Sequence, residues 1–150
     1  MLKARIVRFA LFLFFFSPFS YAQAPFERHA GHKIFYSVLN SSFIPAETAS
    51  LHGLTRGKDI GLVNISLIKE SPDGDSLGLA GIVDGRVTNL LMQSQPLEFL
   101  EIREGNVVYY IAEFDFDNEE AMHFDIEVEI EAAGAQSPFS FRFTKIMYEN

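Results

Sequence analysis

The chain has 150 residues, with 20 Asp and Glu against 12 Lys and Arg, and no cysteine. This length allows one domain, and the absence of cysteine excludes disulfides and a lipid anchor of the bacterial lipoprotein type. The net charge of −8 disfavours nucleic acid and anionic lipid headgroups as partners.

The first 22 residues predict a secretory signal peptide. Three basic residues precede an apolar run of eight residues, and small residues follow. As a helix, that run reaches only about 12 Å against roughly 30 Å of hydrocarbon, so no stable membrane anchor is expected after cleavage. Cleavage after Ala22 or Ala24 fits the small-residue rule, and Pro25 after the second site favours Ala22. The predicted parts are a cleaved signal peptide (1–22), a flexible lead (23–30) and one domain (31–150).

The exported part reads as short runs rich in β-formers, separated by turn residues. The first strand is predicted from His32 to Asn40, and a short helix follows, with Pro45 at its start and Gly53 at its end. Six more strands are predicted within 59–70, 77–90, 96–104, 107–116, 121–131 and 138–148. About seven strands with one short helix predict an all-β fold, a single antiparallel β-sandwich.

Two of these strands carry apolar side chains at alternate positions. They are Met122, Phe124, Ile126, Val128 and Ile130 in one strand, and Phe139, Phe141 and Phe143 in the other. A period of two places each set on one face of its strand, and such stripes are typical of a core rather than of a ligand platform. We therefore expect these two faces to supply much of the core.

The segments "GLVNISL", "TNLLMQSQPLEFLEIREGNVVYYIAEFDFDNEEAMHFDIEV" and "PFSFRF", with the earlier "FYSVLNSSFIPAETASLHGLTRGK", resemble a known bacterial family. This family is domain of unknown function 4426, and the resemblance covers nearly all of the mature chain. It implies a small exported all-β domain, immunoglobulin-like, in the periplasm of Gram-negative bacteria. It implies no activity, because none is established for the family. His52 departs from the pattern, which usually has an aromatic residue before the glycine that ends the helix.

The sequence contains no recognisable catalytic or nucleotide-binding motif. No serine lies in a G-x-S-x-G elbow, and neither glycine-rich phosphate loop is present. The "DFDNEE" turn lacks the glycine and the glutamate of a calcium loop. No cofactor is therefore expected, and a binding function is favoured over an enzyme, with a hydrolase built on an unrecognised site as one alternative.

The stretch "AMHFDIEVEIEA" raises the other alternative, which ranks ahead of the hydrolase: a small ligand or a divalent cation on an acidic sheet face. Successive carboxylates along one strand are about 7 Å apart, too far to chelate one ion. If the preceding strand pairs with this one as a hairpin, with Phe116 opposite Met122, four residues meet on the face. They are Glu113, Asp115, His123 and Asp125, with ion pairing to Arg142 on an ordinary solvated surface as the competing interpretation.

Four polar residues are candidates for binding a partner: Arg56, Asn89, Gln93 and Gln95. The two glutamines flank exposed apolar residues, a composition that suits a recognition loop. Asn89, like Asn64, interrupts an apolar run, and both are expected to hold neighbouring loops through hydrogen bonds to the backbone. Arg56 is expected to pair with a carboxylate. The favoured function is a non-catalytic periplasmic domain that binds a protein, a peptide or another envelope component.

Overall fold

The computed structural model describes residues 25–131 and 138–150. The predicted signal peptide and both of its cleavage points lie outside these residues. The described chain forms nine strands, a 3₁₀ turn (Ser41–Phe43) and one helix, α1 (Ala46–His52). The strands are β1 (Phe26–His29), β2 (His32–Asn40), β3 (Ile60–Lys69), β4 (Ile82–Thr88), β5 (Ser94–Pro96), β6 (Leu100–Glu104), β7 (Val107–Asp115), β8 (Glu120–Glu129) and β9 (Phe139–Met147).

The strands form two antiparallel sheets. The order is β1-β2-β3-β7-β6 in the first sheet and β5-β4-β8-β9 in the second. Apolar side chains of both sheets, such as Val63 of β3 and Phe124 of β8, belong to one buried cluster. The predicted all-β class with little helix is therefore confirmed.

The predicted core faces of β8 and β9 are present. The four apolar residues Met122, Phe124, Ile126 and Val128 on β8 are buried, and so are Ile130 directly after it and Phe141 of β9. The ring of Phe143 stacks on Phe124 with centroids 4.7 Å apart, and on Tyr36 of the first sheet at 4.4 Å. Stacked rings therefore join the two sheets through the core.

All seven predicted strands are present, but the count of about seven is too low, because β1 and β5 are additional short strands. β1 lies within the predicted flexible lead and pairs with β2, with His29 opposite His32. The turn between them places Ala30 and Gly31 at φ values of 48° and 74°. Two consecutive residues at positive φ form a tight hairpin, for which Asn-Gly or Asp-Gly is the usual signal. Ala-Gly lacks that signal, so the sequence did not reveal the hairpin.

The predicted hairpin between the strands ending at Phe116 and beginning near Met122 is wrong. β7 pairs with β3 and β6, whereas β8 pairs with β4 and β9 in the other sheet. The reason is that both strands have an apolar face, and the faces meet across the core. Phe114 of β7 and Phe124 of β8 lie edge to face, with ring centroids 5.2 Å apart.

The short helix is confirmed, and α1 lies over the outer face of the first sheet. It begins after Pro45 and ends at Gly53, whose φ of 68° is the left-handed conformation that favours glycine. The N–H of Leu54 then donates to the carbonyl of Ala49 at 2.8 Å and closes the helix end. Thr48 and His52 of α1 face Leu62 of β3 across a small cavity.

Candidate functional site: the 89–93 loop and its surroundings

The loop between β4 and β5, Asn89–Gln93, presents three consecutive apolar side chains to solvent. Leu90, Leu91 and Met92 are 68%, 78% and 81% exposed. Single exposed apolar residues are ordinary, but a contiguous group on one turn marks an interaction site. These three residues are called the apolar tip below.

Asn89 holds this loop in one conformation. It is only 8% exposed, and its Oδ1 accepts hydrogen bonds from the N–H groups of Leu91 at 3.1 Å and Gln93 at 2.9 Å. Its Nδ2 donates to Oε1 of Gln93 at 2.7 Å and to Oε1 of Glu120 at 2.8 Å. Backbone bonds of 3.0 Å from Asn89 N–H to Gln93 O and from Met92 N–H to Asn89 O complete the turn. The predicted loop-holding role of Asn89 is therefore confirmed.

Met92 has an unfavourable backbone conformation. Its φ of 62° lies in the left-handed region, where the Cβ atom of a side chain other than glycine is crowded. Such a conformation persists when the surrounding contacts enforce it. The hydrogen bonds around Asn89 supply that enforcement, so the loop keeps a long apolar side chain exposed on a backbone that glycine would suit better.

Gln95 joins the base of the loop to the opposite sheet. Its Oε1 accepts from the N–H of Asp115 at 2.9 Å, and its Nε2 donates to the carbonyl of the same residue at 2.8 Å. Tyr110 makes a similar tie, because its hydroxyl accepts from Gly81 N–H at 2.7 Å and donates to Gly81 O at 2.9 Å. Burial raises the pKa of Tyr110, which keeps the phenol protonated as a donor.

The structure brings three of the four predicted binding residues together. Asn89, Gln93 and Gln95 share the β4–β5 region, but their amides are used by hydrogen bonds within the protein. Arg56 lies elsewhere, and its Nη2 donates to the carbonyl of Ser42 at 3.0 Å, so the predicted pairing with a carboxylate is not the contact observed. The contact role was predicted for the two glutamine amides, whereas the side chains that the structure leaves exposed are those of the neighbouring "LLM".

The predicted cation site does not form. Glu113 and Asp115 lie on β7, whereas His123 and Asp125 lie on β8 in the other sheet. The side chains of Glu113, His123 and Asp125 contact other residues instead of one another. The carboxylate of Glu113 accepts from Thr55 N–H, His123 Nδ1 lies 2.8 Å from Thr144 Oγ1, and Asp125 pairs with Arg142 as expected and with Arg86 at 3.4 Å. Within residues 25–131 and 138–150, no three His, Asp or Glu side chains are grouped to hold a metal ion.

In the described part of the chain, no helix has the length and apolar character needed to cross a bilayer. The fold and the loop thus define a small all-β domain of two antiparallel sheets, with an apolar loop exposed at one end. Residues 27–150 match the family described as Domain of unknown function (DUF4426), and the chain belongs to this family.

Solved structures of two bacterial proteins are among those similar to the chain. The crystal structure of a DUF4426 family protein, PA0388 from Pseudomonas aeruginosa PAO1, has 28% sequence identity and a TM-score of 0.70, covering 84% of this chain and 95% of that one. FetP from uropathogenic Escherichia coli strain F11 has 10% identity and a TM-score of 0.57, covering 85% and 95%. The second likeness concerns the fold alone. Among curated proteins, no match was found.

Proposed function

We propose that this protein is a non-catalytic, immunoglobulin-like domain of the periplasm that docks a partner protein through its apolar tip. The observation that carries the proposal is the exposure of Leu90, Leu91 and Met92 on a turn closed by the side chain of Asn89. A rigid apolar projection loses little conformational freedom when it enters a pocket, so most of its buried area contributes to affinity. The occupant is a protein with an apolar pocket rimmed by basic side chains.

The strand order supports an immunoglobulin-like sandwich. Immunoglobulin domains have strands A-B-E-D in one sheet and C-F-G in the other, with C′ added next to C in variable-type domains. The orders β2-β3-β7-β6 and β5-β4-β8-β9 correspond to A-B-E-D and C′-C-F-G, with β1 added at the edge. In this correspondence the apolar tip is the C–C′ loop.

The surrounding charge favours a protein over a lipid surface as the occupant. The chain has a net charge of −8, and removal of three basic residues with the signal peptide would give 9 − 20 = −11. Glu120 hydrogen-bonds to Asn89, and Glu119 and Asp117 lie in the neighbouring β7–β8 connection. Arg86 and Arg142 lie in the groove beside Met92, where both pair with Asp125, so the net negative charge and the carboxylates near Asn89 dominate. They repel anionic headgroups and attract a basic rim. The N-terminal signal pattern supports the periplasm as the compartment.

Site-specific photo-crosslinking tests this proposal. A benzoylphenylalanine would replace Leu91 in the full chain, expressed in a Gram-negative host, with Leu51 of α1 as the matched control. Leu51 is 77% exposed and lies outside the tip. We expect a discrete protein adduct from position 91 only. The partner protein captured in this adduct is then purified, and its affinity for the mature domain is measured. Changing Leu90, Leu91 and Met92 together to serine should weaken binding at least tenfold, whereas changing Leu51 to serine should leave the affinity unchanged.

Two results would overturn the proposal. Adducts of equal intensity from both positions would show non-specific contact. Flotation of the domain with phosphatidylglycerol vesicles, abolished by the triple serine variant, would instead assign the tip to a membrane surface. Circular dichroism of each variant controls for folding, and the serine changes at exposed positions are expected to leave the spectrum unchanged.

A further inference from the structure

Strand β9 forms a long open edge of the second sheet. Its nine residues pair with β8, and no other strand of the described chain pairs with them. The other three edge strands, β1, β5 and β6, have four, three and five residues. Proteins usually keep sheet edges short or covered, because the unpaired backbone N–H and C=O groups of a long edge can pair with another chain. β9 therefore offers a template for an added strand.

The end of β9 borders a groove that it shares with β2. β1 covers β2 only from His32 to Phe35, so in the described part of the chain the last four residues of β2 (37–40) pair with β3 alone. A groove of about 330 Å³ lies between this part of β2 and residues 145–147 of β9, and it is called the β9 groove below. Lys145 and Met147 share one face of β9 and both line the groove, so side chains on the same face of an added strand would enter it.

Apolar side chains line the β9 groove, and its walls are held in place. Phe43, Ile146 and Tyr148 line it and are each at least 49% exposed, a grouping that marks an interaction site. The buried amide of Asn40 joins two of these walls. Its Nδ2 donates to the carbonyl of Tyr148 at 3.2 Å, and its Oδ1 accepts from the N–H of Ser42, the neighbour of Phe43, at 2.8 Å. A preformed groove binds at a lower cost in ordering.

The charges of the groove favour an acidic occupant. The charged residues of β9 are Arg142 and Lys145, both basic. Arg142 pairs with Asp125, whereas Lys145 lines the groove and makes no ion pair with the described residues. Glu149 also lines the groove, but its Oε2 lies 2.6 Å from Nζ of Lys58. The ammonium group of Lys145 is therefore the charge that a bound segment would meet, and a carboxylate is its complement.

The same charges disfavour a second copy of the chain as the occupant. Pairing of β9 with β9 would bring the basic residues of both strands to one seam, without a carboxylate on either strand. Like charges on neighbouring strands are destabilising, and charged residues on an edge are one means of preventing such self-pairing. The net charge of −8 adds repulsion between copies.

We propose that the β9 groove binds an extended segment of another protein, with acidic and apolar side chains, which adds to the second sheet as a strand antiparallel to β9. The residue of the segment opposite Met147 places an apolar side chain in the groove, and the residue opposite Lys145 supplies the carboxylate. In strand addition the main-chain hydrogen bonds give affinity, and the side-chain pockets give specificity. The site lies at the opposite edge of the sheet from β5 and goes beyond the docking function of the apolar tip.

The test begins with random nonapeptides displayed on phage and selected on the immobilised mature domain. We expect enriched peptides to have Asp or Glu two positions from a large apolar residue, because such residues share a face of a strand. An enriched peptide is then synthesised, and its affinity is measured by calorimetry. Methylation of alternate backbone nitrogens should weaken binding at least tenfold in one set of positions and little in the other, because each edge of a strand uses every second N–H group. Equal effects of the two sets would contradict strand addition.

Two groups of variants locate the peptide. Lys145→Glu should weaken its binding at least tenfold, whereas Lys69→Glu makes the same charge change opposite His32, at the end of β2 remote from the groove, and should have no effect. Changing Ile146 and Tyr148 together to serine should also weaken binding at least tenfold. Leu77→Ser is the control for this pair, since Leu77 is exposed outside the groove. Circular dichroism of each variant controls for folding.

Three results would overturn the proposal. They are no enrichment of any sequence, equal affinity of every enriched peptide for Lys145→Glu and the wild type, and a dimer in sedimentation velocity that the peptide dissociates, which would assign the edge to a second copy. The variant with serine at all three positions of the apolar tip should bind the peptide like the wild type. Failure of either proposal is therefore distinguishable from failure of the other.

Discussion

Asn64 and Asn89 both interrupt apolar runs, yet the structure gives the two residues opposite situations. Asn89 makes four side-chain hydrogen bonds, two as acceptor and two as donor, and they close the loop behind the apolar tip. Asn64 lies in the middle of β3, and its buried Oδ1 has no hydrogen-bond partner among the described residues. The same residue type within an apolar run is therefore fully hydrogen-bonded at one position and leaves a buried acceptor without a partner at the other.

The difference has a thermodynamic meaning. A satisfied buried amide stabilises its surroundings, and its removal leaves its partners without bonds. An unsatisfied buried acceptor is disfavoured in the folded state, and its removal relieves that cost. The two asparagines are thus expected to respond to substitution with opposite signs, and measurements of stability can break or sharpen the comparison.

The largest expected effect is that of Asn89→Ala. It leaves the N–H groups of Leu91 and Gln93 and the carboxylate of Glu120 without this partner, and we expect the free energy of unfolding to fall by about 2–3 kcal/mol. Urea denaturation followed by circular dichroism measures this loss. Gln93→Ala is the control, since it removes one of the four bonds and should lower stability by under about 1 kcal/mol. A loss no larger in Asn89→Ala than in Gln93→Ala would show that the network does not hold the loop.

Asn64→Leu is expected to act in the opposite direction. The change removes an unpaired acceptor that lies among apolar side chains such as Leu62 and Ile111, and it adds apolar contact, so the free energy of unfolding should rise by about 1 kcal/mol. The same urea titration measures it, with Asn64→Ala as the companion variant that removes the amide without filling its volume. A decrease of more than about 1 kcal/mol in the leucine variant would mean that Asn64 is satisfied in the protein, and the contrast with Asn89 would disappear.

The longer strands follow from the sequence, whereas their partners do not. Alternation along β8 and the Gly105-Asn106 turn between β6 and β7 are local signals, and both correspond to the structure. The connection after Phe116 has the same local form whether the chain turns back in one sheet or crosses to the other. Only the meeting of Phe114 and Phe124 across the core decides between them, and that contact is not local.

The site was predictable in the same partial way. The polar and apolar composition around Gln93 indicated a recognition loop, and the loop is exposed where expected. The glutamine amides were predicted to contact a partner, but in the structure they bond within the protein. The two bonds between Gln95 and Asp115 join strands of different sheets, and such pairing cannot be read from the local sequence. The cavity beside Asn64 depends on the packing of α1 over three strands, for which no spacing rule exists.

A smaller effect on stability is expected from Met92→Gly, which tests whether the hydrogen bonds of Asn89 hold Met92 in an unfavourable backbone conformation. Glycine adopts a φ of 62° without crowding, so we expect the free energy of unfolding to rise by about 0.5–1 kcal/mol. Thermal unfolding measures this gain, and Leu91→Gly is the control, since Leu91 is not among the residues with positive φ. The docking proposal adds that Met92→Gly should weaken partner binding despite the gain. Greater stability together with unchanged binding would show that the side chain of Met92 does not contact the partner.

The smallest effect concerns Glu70, which has several partners as Asn89 does but lies at the surface. Its pKa is lowered from the ordinary value of 4.5, chiefly because Arg28 donates a hydrogen bond at 3.0 Å, with a further contribution from Lys33. A carboxylate with a depressed pKa adds stability above the unfolded pKa of about 4.5, and this contribution is lost as the pH falls through the folded value. We therefore expect Glu70→Gln to lower the melting temperature slightly at pH 7 and not at pH 2. Because solvent screens exposed pairs, the difference should be well below that of Asn89→Ala, and it should shrink in 1 M salt. An effect at pH 7 that equals the Asn89→Ala loss would show that the number of partners, rather than their burial, governs what a polar group contributes here.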